Sequence, residues 1–274
     1  MTPDLGAVGV WQLIRDATPE LAMGVEALGY GALWVGGSPT GDLEAIERLL
    51  EATERLPVAT GIVNMWREPA EELASSYKRI EARHPGRLLV GVGVGHAEAT
   101  TEYLRPLAKI DDYLSRLGEA GVPKERLVLA ALGPKVLRIA AERTAGAHPY
   151  LTTPTHTTHA REVLGPGPLL APEHKVVLNA DPDAARILGR PVVSRYLTRA
   201  NYRHNLQREG WSEQDLAAGG SDTLVDALVL WGGAQAVAAG LRAHLEAGAD
   251  HVALQPLGGD PLGVCRELAP LLVG

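Results

Sequence analysis

Residues 88–96 read Leu-Leu-Val-Gly-Val-Gly-Val-Gly-His, and this stretch decides the fold of the chain. An apolar, β-branched run of this length after Gly86 is typical of a buried strand. Because side chains alternate along a strand, the three valines share one face and the three glycines the other. The glycine face leaves bare backbone that a flat ligand or another backbone can approach closely. His96 follows at the carboxyl end, where parallel α/β folds bind ligands.

The same stretch also fits a tightly packed structural strand with a histidine in the following loop. Its glycine spacing differs from the dinucleotide fingerprint G-x-G-x-x-G, because the residue five after Gly91 is His96. No G-x-x-x-x-G-K-[ST] phosphate loop occurs in the chain. These two observations argue against a Rossmann fold and against a P-loop nucleotide-binding fold.

Composition limits the class of protein. A chain of 274 residues fits one large α/β domain or two small ones, and α/β barrels typically have about 250 residues. Hydrophobic residues make up 46% and phenylalanine is absent, so aliphatic residues and alanine must fill the core. The formal net charge of −7 argues against nonspecific binding of nucleic acid. Cys265 is the only cysteine, which excludes an intrachain disulfide and a cysteine-rich zinc site.

Targeting and metal-binding signals are weak. Met1 is not followed by a basic and then apolar leader, and no apolar run approaches about 18 residues. We therefore expect a soluble, cytoplasmic protein with no membrane partner.

His156 and His159 are three residues apart and could share a helix face, but no further ligand stands at a convincing spacing. We predict no metal site.

A helix-like stretch, a glycine and a short apolar run recur in this order at residues 26–35, 142–151 and 246–254. Glycine just past a helix allows the left-handed cap from which the chain enters the next strand. Repeated units of this kind indicate right-handed β-α-β crossovers and a parallel sheet.

Counting such units predicts a (β/α)8 TIM barrel that forms one domain over residues 1–274. An open doubly wound sheet remains the alternative, since sequence does not show closure. The seventh unit is oversized, which predicts a helical insertion at about residues 198–233 between strands seven and eight. We expect it to cover the carboxyl ends of the strands, although helices without ligand contact would give the same pattern. The eight strands are predicted to begin near Ala7, Ala32, Val58, Leu88, Leu127, Ala147, Lys175 and His251.

Two further stretches, one before the insertion and one inside it, have weaker patterns. Residues 152–172 are rich in proline, glycine and histidine, which predicts a mobile loop with one short helix. Residues 224–230 continue an apolar pattern that we interpret as helical. The other helices are predicted at residues 19–28, 42–55, 69–83, 105–120, 133–143, 181–196 and 234–247.

Two strand ends carry candidate binding residues. Asn64 ends strand three and offers an amide donor and acceptor to a ligand, while Gly61 in the same strand suggests close approach. Asn64 would equally serve as a loop cap. Gly133 precedes a helix, and a helix start with glycine attracts phosphate through its free N–H groups. Many barrels use such a turn only to begin a helix.

Four motifs together resemble the bacterial-luciferase-like family, and most closely its deazaflavin (coenzyme F420)-dependent oxidoreductases. The motifs occur in the family's order and span almost the whole chain. They are Gly29-Tyr-Gly-Ala-Leu-Trp-Val, Ala59-Thr-Gly-Ile-Val-Asn with Arg67-Glu-Pro, the stretch from Gly86 to His96, and Leu129-Ala-Ala-Leu-Gly-Pro-Lys-Val-Leu.

This resemblance implies a barrel that holds a flavin-type ring at the carboxyl ends of its strands. It further implies a non-proline cis peptide at Gly61–Ile62, forming a bulge behind the ring, and a hydrogen bond from Asn64 to the ring. The remaining implied cofactor contacts are Val94, Gly95 and His96 beside the ring, and Ala131, Leu132, Gly133 and Pro134 near the phosphate-bearing side chain.

The chain departs from the family after strand two. Many relatives carry Asp-His or a similar polar pair where this chain has Gly36-Gly37-Ser38. The catalytic histidine expected there is missing, which leaves His96 as the candidate for proton transfer because histidine titrates near neutral pH.

The sequence therefore predicts an enzyme that transfers a hydride between coenzyme F420 and a small organic substrate. An FMN-dependent monooxygenase and a non-catalytic member that binds flavin or deazaflavin remain alternatives. The resemblance also implies a homodimer, although the outer helices at residues 42–55 and 69–83 fit an ordinary helix layer equally well.

Overall fold

Strands and helices alternate along the chain, which makes the fold α/β as predicted. The computed structural model describes residues 1–95 and 105–273. Its strands are β1 (Val8–Leu13), β2 (Leu33–Gly36), β3 (Val58–Gly61), β4 (Val63–Asn64), β5 (Leu88–Gly93), β6 (Leu127–Leu129), β7 (Gly146–Ala147), β8 (Leu169–Leu170), β9 (Glu173–Leu178), β10 (Val229–Gly232) and β11 (Val252–Pro256).

The helices surround these strands, and several begin at proline behind a capping threonine or aspartate. They are α1 (Pro19–Ala27), α2 (Glu44–Glu51), α3 (Ala70–Arg83), α4 (Pro106–Glu119), α5 (Pro134–Arg143), α6 (Pro154–Leu164), α7 (Pro182–Leu197), α8 (Ala200–Arg208), α9 (Glu213–Leu216), α10 (Asp222–Leu228), α11 (Ala234–Glu246) and α12 (Pro261–Leu272). Among the described residues, no helix is long and apolar enough to cross a membrane.

The parallel sheet closes into the predicted barrel. Strands β11, β1, β2, β3, β5, β6, β7 and β8 follow one another in hydrogen-bonding order, and β9 pairs with β11. Strands β8 and β9 act as one barrel strand, because Ala171 N donates to Ala147 O of β7 while Ala253 N of β11 donates to Pro172 O, both at 2.9 Å. Residues 169–178 thus join the sixth strand to the eighth, which excludes the open sheet.

Alternation along each strand separates an inner from an outer core. Val90 and Val92 of β5 pack with the helices in the outer core. Trp11, Trp34 and Leu89 belong to the inner core, which fills the barrel. The inner core is rich in tryptophan and alanine, in keeping with a chain that has no phenylalanine.

The glycine face of β5 packs against the backbone of β3 and the side chain of Ile62. A Cβ on Gly91 would lie 1.9 Å from the carbonyl oxygen of Thr60, and a Cβ on Gly93 would lie 3.2 Å from Ile62 Cδ1. Glycine is therefore required because β3 and Ile62 approach closely, and these two positions do not present open backbone to a flat ligand. The strand ends at Gly93, and His96 lies outside the described residues.

Helices α8, α9 and α10 form the predicted insertion, but two local predictions are wrong. Helix α10 ends at Leu228, and residues 229–232 form β10, parallel to β9. Residues 152–172 are not a mobile loop, because Thr153 caps the α6 helix and Leu169–Leu170 pairs with β7. Both errors have the same cause. The β9 edge that stabilises β10, and the Thr153 cap and β7 pairing that order residues 152–172, leave no periodic pattern in the sequence.

Candidate active site

The carboxyl end of strand three carries the predicted bulge. The peptide between Gly61 and Ile62 is cis, and both residues are half-buried at the mouth of the barrel. Asn64 is buried, and its Oδ1 accepts from Trp66 N at 2.9 Å, so the loop-capping role is present. A ligand can thus reach the backbone of the bulge. The Oδ1 atom of Asn64 already accepts one hydrogen bond, from Trp66 N.

The turn after β5 lies beside that amide. Gly95 has φ of +60°, and a Cβ there would lie 2.8 Å from Asn64 Nδ2. Val94 and Gly95 are both half-buried. The proton-transfer role of His96, in the next position, stays a prediction.

Tryptophan and histidine form the floor below the bulge. The Trp34 and His148 rings stack with centroids 4.1 Å apart, and Trp34 Nε1 donates to His251 Nε2 at 2.9 Å. Trp11 lies over Gly36, where a Cβ would come within 1.8 Å of the indole. The glycine at the end of strand two, one of the residues that replace the family's polar pair, therefore makes room for Trp11.

A fully buried ion pair lies within β9, next to Tyr150. Lys175 Nζ donates to both carboxylate oxygens of Glu173 at 2.9 and 3.0 Å, and both side chains have no exposed surface. The ammonium also lies 3.8 Å from the Tyr150 ring centroid. Glu173 Oε2 accepts from Leu151 N at 3.1 Å. The pair therefore fixes the segment that follows strand six.

The helix start predicted to bind phosphate has a cation nearby that sequence reasoning missed. Arg208 Nη2 lies 3.5 Å from the position that a Cβ would take on Gly133, the residue before α5. Arg208 ends α8, and its Nη2 also donates to Asn205 Oδ1. A helix N-terminus beside a guanidinium suits a phosphate group. Nothing in the sequence near Arg208 indicates that it reaches the residue before α5, at the end of strand five.

The insertion docks on the mouth through aromatic rings and one carboxyl group. Tyr150, Tyr196 and Tyr202 contact in series, with ring centroids 5.2 and 4.8 Å apart. Glu209 Oε2 accepts from Thr153 Oγ1 at 2.6 Å, and burial raises the pKa of this carboxyl to about 7. The predicted cover over the carboxyl ends of the strands is thus present above strands six and seven.

The histidines of α6 have structural surroundings. His156 is buried and its Nε2 donates to Leu132 O at 2.9 Å, whereas His159 is exposed. Behind them, Thr157 Oγ1, His244 and His174 form a buried hydrogen-bonded chain with distances of 2.7 and 2.8 Å. Desolvation lowers the pKa of His244 to about 3 and that of His156 to about 4, so both imidazoles are neutral.

Within residues 1–95 and 105–273, only Glu47, Glu51 and His84 bring three potential metal-ligating atoms within 4.8 Å of one another. Arg83 forms ion pairs with both glutamates at 2.6 Å, and Arg79 pairs with Glu47 at 3.0 Å. Guanidinium groups thus neutralise these carboxylates between α2 and α3.

Residues 14–251 match the luciferase-like monooxygenases. The chain belongs to this family. The family includes oxidoreductases and monooxygenases, so the predicted family is confirmed. No curated protein matches the chain in sequence.

Solved structures of this luciferase-like fold cover nearly all of the chain. An F420-dependent secondary alcohol dehydrogenase in complex with an F420-acetone adduct has a TM-score of 0.75 at 15% identity, covering 99% of this chain and 98% of that one. A coenzyme F420-dependent tetrahydromethanopterin reductase from Methanopyrus kandleri has a TM-score of 0.73 at 14% identity, with 98% of both chains covered. The oxygenating constituent of 3,6-diketocamphane monooxygenase from Pseudomonas putida, in complex with FMN, has a TM-score of 0.67 at 12% identity, covering 98% of this chain and 97% of that one. At these identities the similarity establishes the fold.

Proposed function

We propose that this luciferase-like protein is an oxidoreductase that transfers a hydride between coenzyme F420 and a small organic substrate. The observation that carries the proposal is the half-buried backbone of Gly61 and Ile62 at the end of strand three, next to Asn64, which in turn lies beside Gly95. This backbone bulge offers a flat support for a ring, and the adjacent amide offers polar contacts to its edge. Deazaflavin bound there would supply the hydride chemistry.

The second support is the candidate anion site at the start of α5. Coenzyme F420 carries a phosphodiester, and the α5 N-terminus with Gly133 and Arg208 suits a phosphate group. Residues 131–134 lie directly after β6, two strands along the barrel from the bulge, because β4 pairs with β5 and β5 pairs with β6. We propose that Ala131, Leu132, Gly133 and Pro134 hold the phosphate-bearing side chain of the cofactor.

The chain's own residues would exclude water and move a proton. Helix α7 and the insertion cover strands six and seven through Tyr196 and Tyr202 respectively, which limits access of water to that side. We propose that His96 is the acid or base, because it follows the turn beside the bulge and the family's histidine after strand two is replaced here by Ser38.

FMN is the competing cofactor, favoured by the likeness to the FMN-bound monooxygenase constituent. Purified protein should be titrated with F420 and with FMN while the absorbance spectrum is recorded. We expect saturable perturbation of the F420 spectrum at a lower concentration than for FMN. Oxygen consumption with reduced cofactor would support the monooxygenase instead, since deazaflavin, with carbon at position 5, does not readily activate oxygen. Binding of F420 without turnover of any substrate would support the non-catalytic alternative.

We also propose that the enzyme is a homodimer, as the family resemblance implies. Light scattering at micromolar concentration should then give about twice the chain mass of 29.0 kDa. A mass equal to that of one chain would contradict this.

A further inference from the structure

Two buried polar atoms below the Gly61–Ile62 bulge lack partners. Trp11 and His148 are each 2% exposed. Neither Trp11 Nε1 nor His148 Nε2 has a hydrogen-bond partner among the described residues. Because a buried polar group without a partner costs free energy, such atoms usually indicate an unseen water or ligand.

The hydrogen bond of His148 Nδ1 determines whether its Nε2 donates or accepts. His148 Nδ1 donates to Ala171 O at 2.6 Å, so its proton is on Nδ1 and Nε2 carries a lone pair. Burial lowers the pKa of His148 to about 4, which keeps the ring neutral. Stacking on Trp34 holds the plane of the ring. His148 Nε2 is therefore a fixed acceptor.

Trp11 Nε1 is a fixed donor beside it. The position that a Cβ would take on Gly61 lies 2.8 Å from Trp11 Nε1 and 3.0 Å from His148 Nε2, so both nitrogens face the same side of Gly61 and are close enough for one oxygen to bridge them. Gly61 is half-buried. The second tryptophan–histidine pair of the barrel, Trp34 and His251, is joined by a direct hydrogen bond. The Trp11–His148 pair is not.

We infer that Trp11 and His148 together bind one hydroxyl-type oxygen beside Gly61. An indole N–H requires an acceptor and a neutral imidazole nitrogen requires a donor. Only an oxygen that both accepts and donates satisfies the two, and a water molecule or the hydroxyl of a small alcohol meets this requirement. A carbonyl oxygen or an ether does not. The inference does not depend on which cofactor binds above the bulge.

A crystal structure of the cofactor-free protein tests the inference directly. We expect density for a single oxygen at about 2.7–3.2 Å from both nitrogens. An empty space, or a direct hydrogen bond between Trp11 and His148, would overturn the inference. The Gly61→Ala variant should lose this oxygen because its Cβ would come within 3.0 Å of both nitrogens. Gly118→Ala is the matched control, since a Cβ on Gly118 meets nothing within 4 Å.

Solution NMR separates the two sources of the oxygen. The indole N–H signal of Trp11 is assigned by its loss in Trp11→Phe. With water bound, this signal should show a cross-peak to a long-lived water, unchanged by methanol. If an alcohol binds, methanol should shift the Trp11 signal saturably. Acetonitrile, which accepts hydrogen bonds but cannot donate one, should not shift it. Absence of the water cross-peak together with no response to methanol would contradict the inference.

Discussion

Arg208 Nη2, at the end of the insertion helix α8, lies 3.5 Å from the position that a Cβ would take on Gly133 at the start of α5. The insertion therefore places a positive charge beside a helix N-terminus that already attracts anions. This relationship connects the insertion to the proposed cofactor phosphate site.

Removing the charge of Arg208 should weaken cofactor binding. We expect Arg208→Gln to raise the Kd for F420 about tenfold, equal to ~1.4 kcal/mol, since charged hydrogen bonds to phosphate contribute about that much. The exposed Arg48 of α2 provides a control, and Arg48→Gln should leave Kd unchanged. Fluorescence titration at two salt concentrations measures both. Equal Kd values for the two variants would remove Arg208 from the phosphate site.

Adding a side chain at Gly133 should weaken F420 binding more than removing the charge of Arg208. The residue has φ of −89° and ψ of 158°, which valine adopts readily, so Gly133→Val should fold. Its side chain should block close approach of the phosphate and weaken F420 binding well beyond tenfold, about 1.4 kcal/mol or more. Unchanged affinity in the folded variant would place the phosphate elsewhere.

His96→Ala should separate chemistry from binding. If His96 transfers a proton, we expect F420 affinity within a few-fold of wild type and hydride transfer slower by about 10²-fold or more. Single-turnover absorbance of the cofactor measures the rate, and the binding titration measures affinity. Equal rates would make the histidine structural, and lost binding would make it a ligand for the ring.

The buried chain of Thr157, His244 and His174 should make the fold sensitive to acid. Desolvation lowers the pKa of His244 from 6.5 to about 3. The unfolded chain therefore binds a proton that the folded one excludes, and stability falls as pH drops below 6.5, by up to about 1.4 kcal/mol per pH unit for one such group. Urea unfolding at a series of pH values should show a shallower loss in His244→Gln. The exposed His159→Gln should retain the wild-type slope.

Breaking the Glu173–Lys175 pair should destabilise the barrel strongly. Lys175→Met leaves a carboxylate with no exposed surface and no cation, which costs about 3–5 kcal/mol. Adding Glu173→Gln removes that charge but keeps an oxygen for Leu151 N. We expect the double variant to recover much of the unfolding free energy in urea titrations. A double variant less stable than Lys175→Met would show that the charge of Glu173 is not the cause.

The sequence by itself determined the alternation of strands and helices, most of their positions and the family. These features depend on signals that act within a few residues, such as the valine–glycine alternation of residues 88–93 and the Thr18-Pro19 helix start. The cis peptide at Gly61–Ile62 followed from the resemblance and not from any local pattern.

Only the tertiary structure decided which residues meet at the barrel mouth. Closure depends on residues 169–178 pairing with β7 on one side and β11 on the other, and β10 exists because β9 offers it an edge. The proximity of Arg208 to Gly133, and that of Trp11 and His148 to Gly61, bring together segments far apart in the chain. Periodicity and capping report local backbone preferences, whereas these contacts arise when the closed barrel brings the carboxyl ends of its strands together.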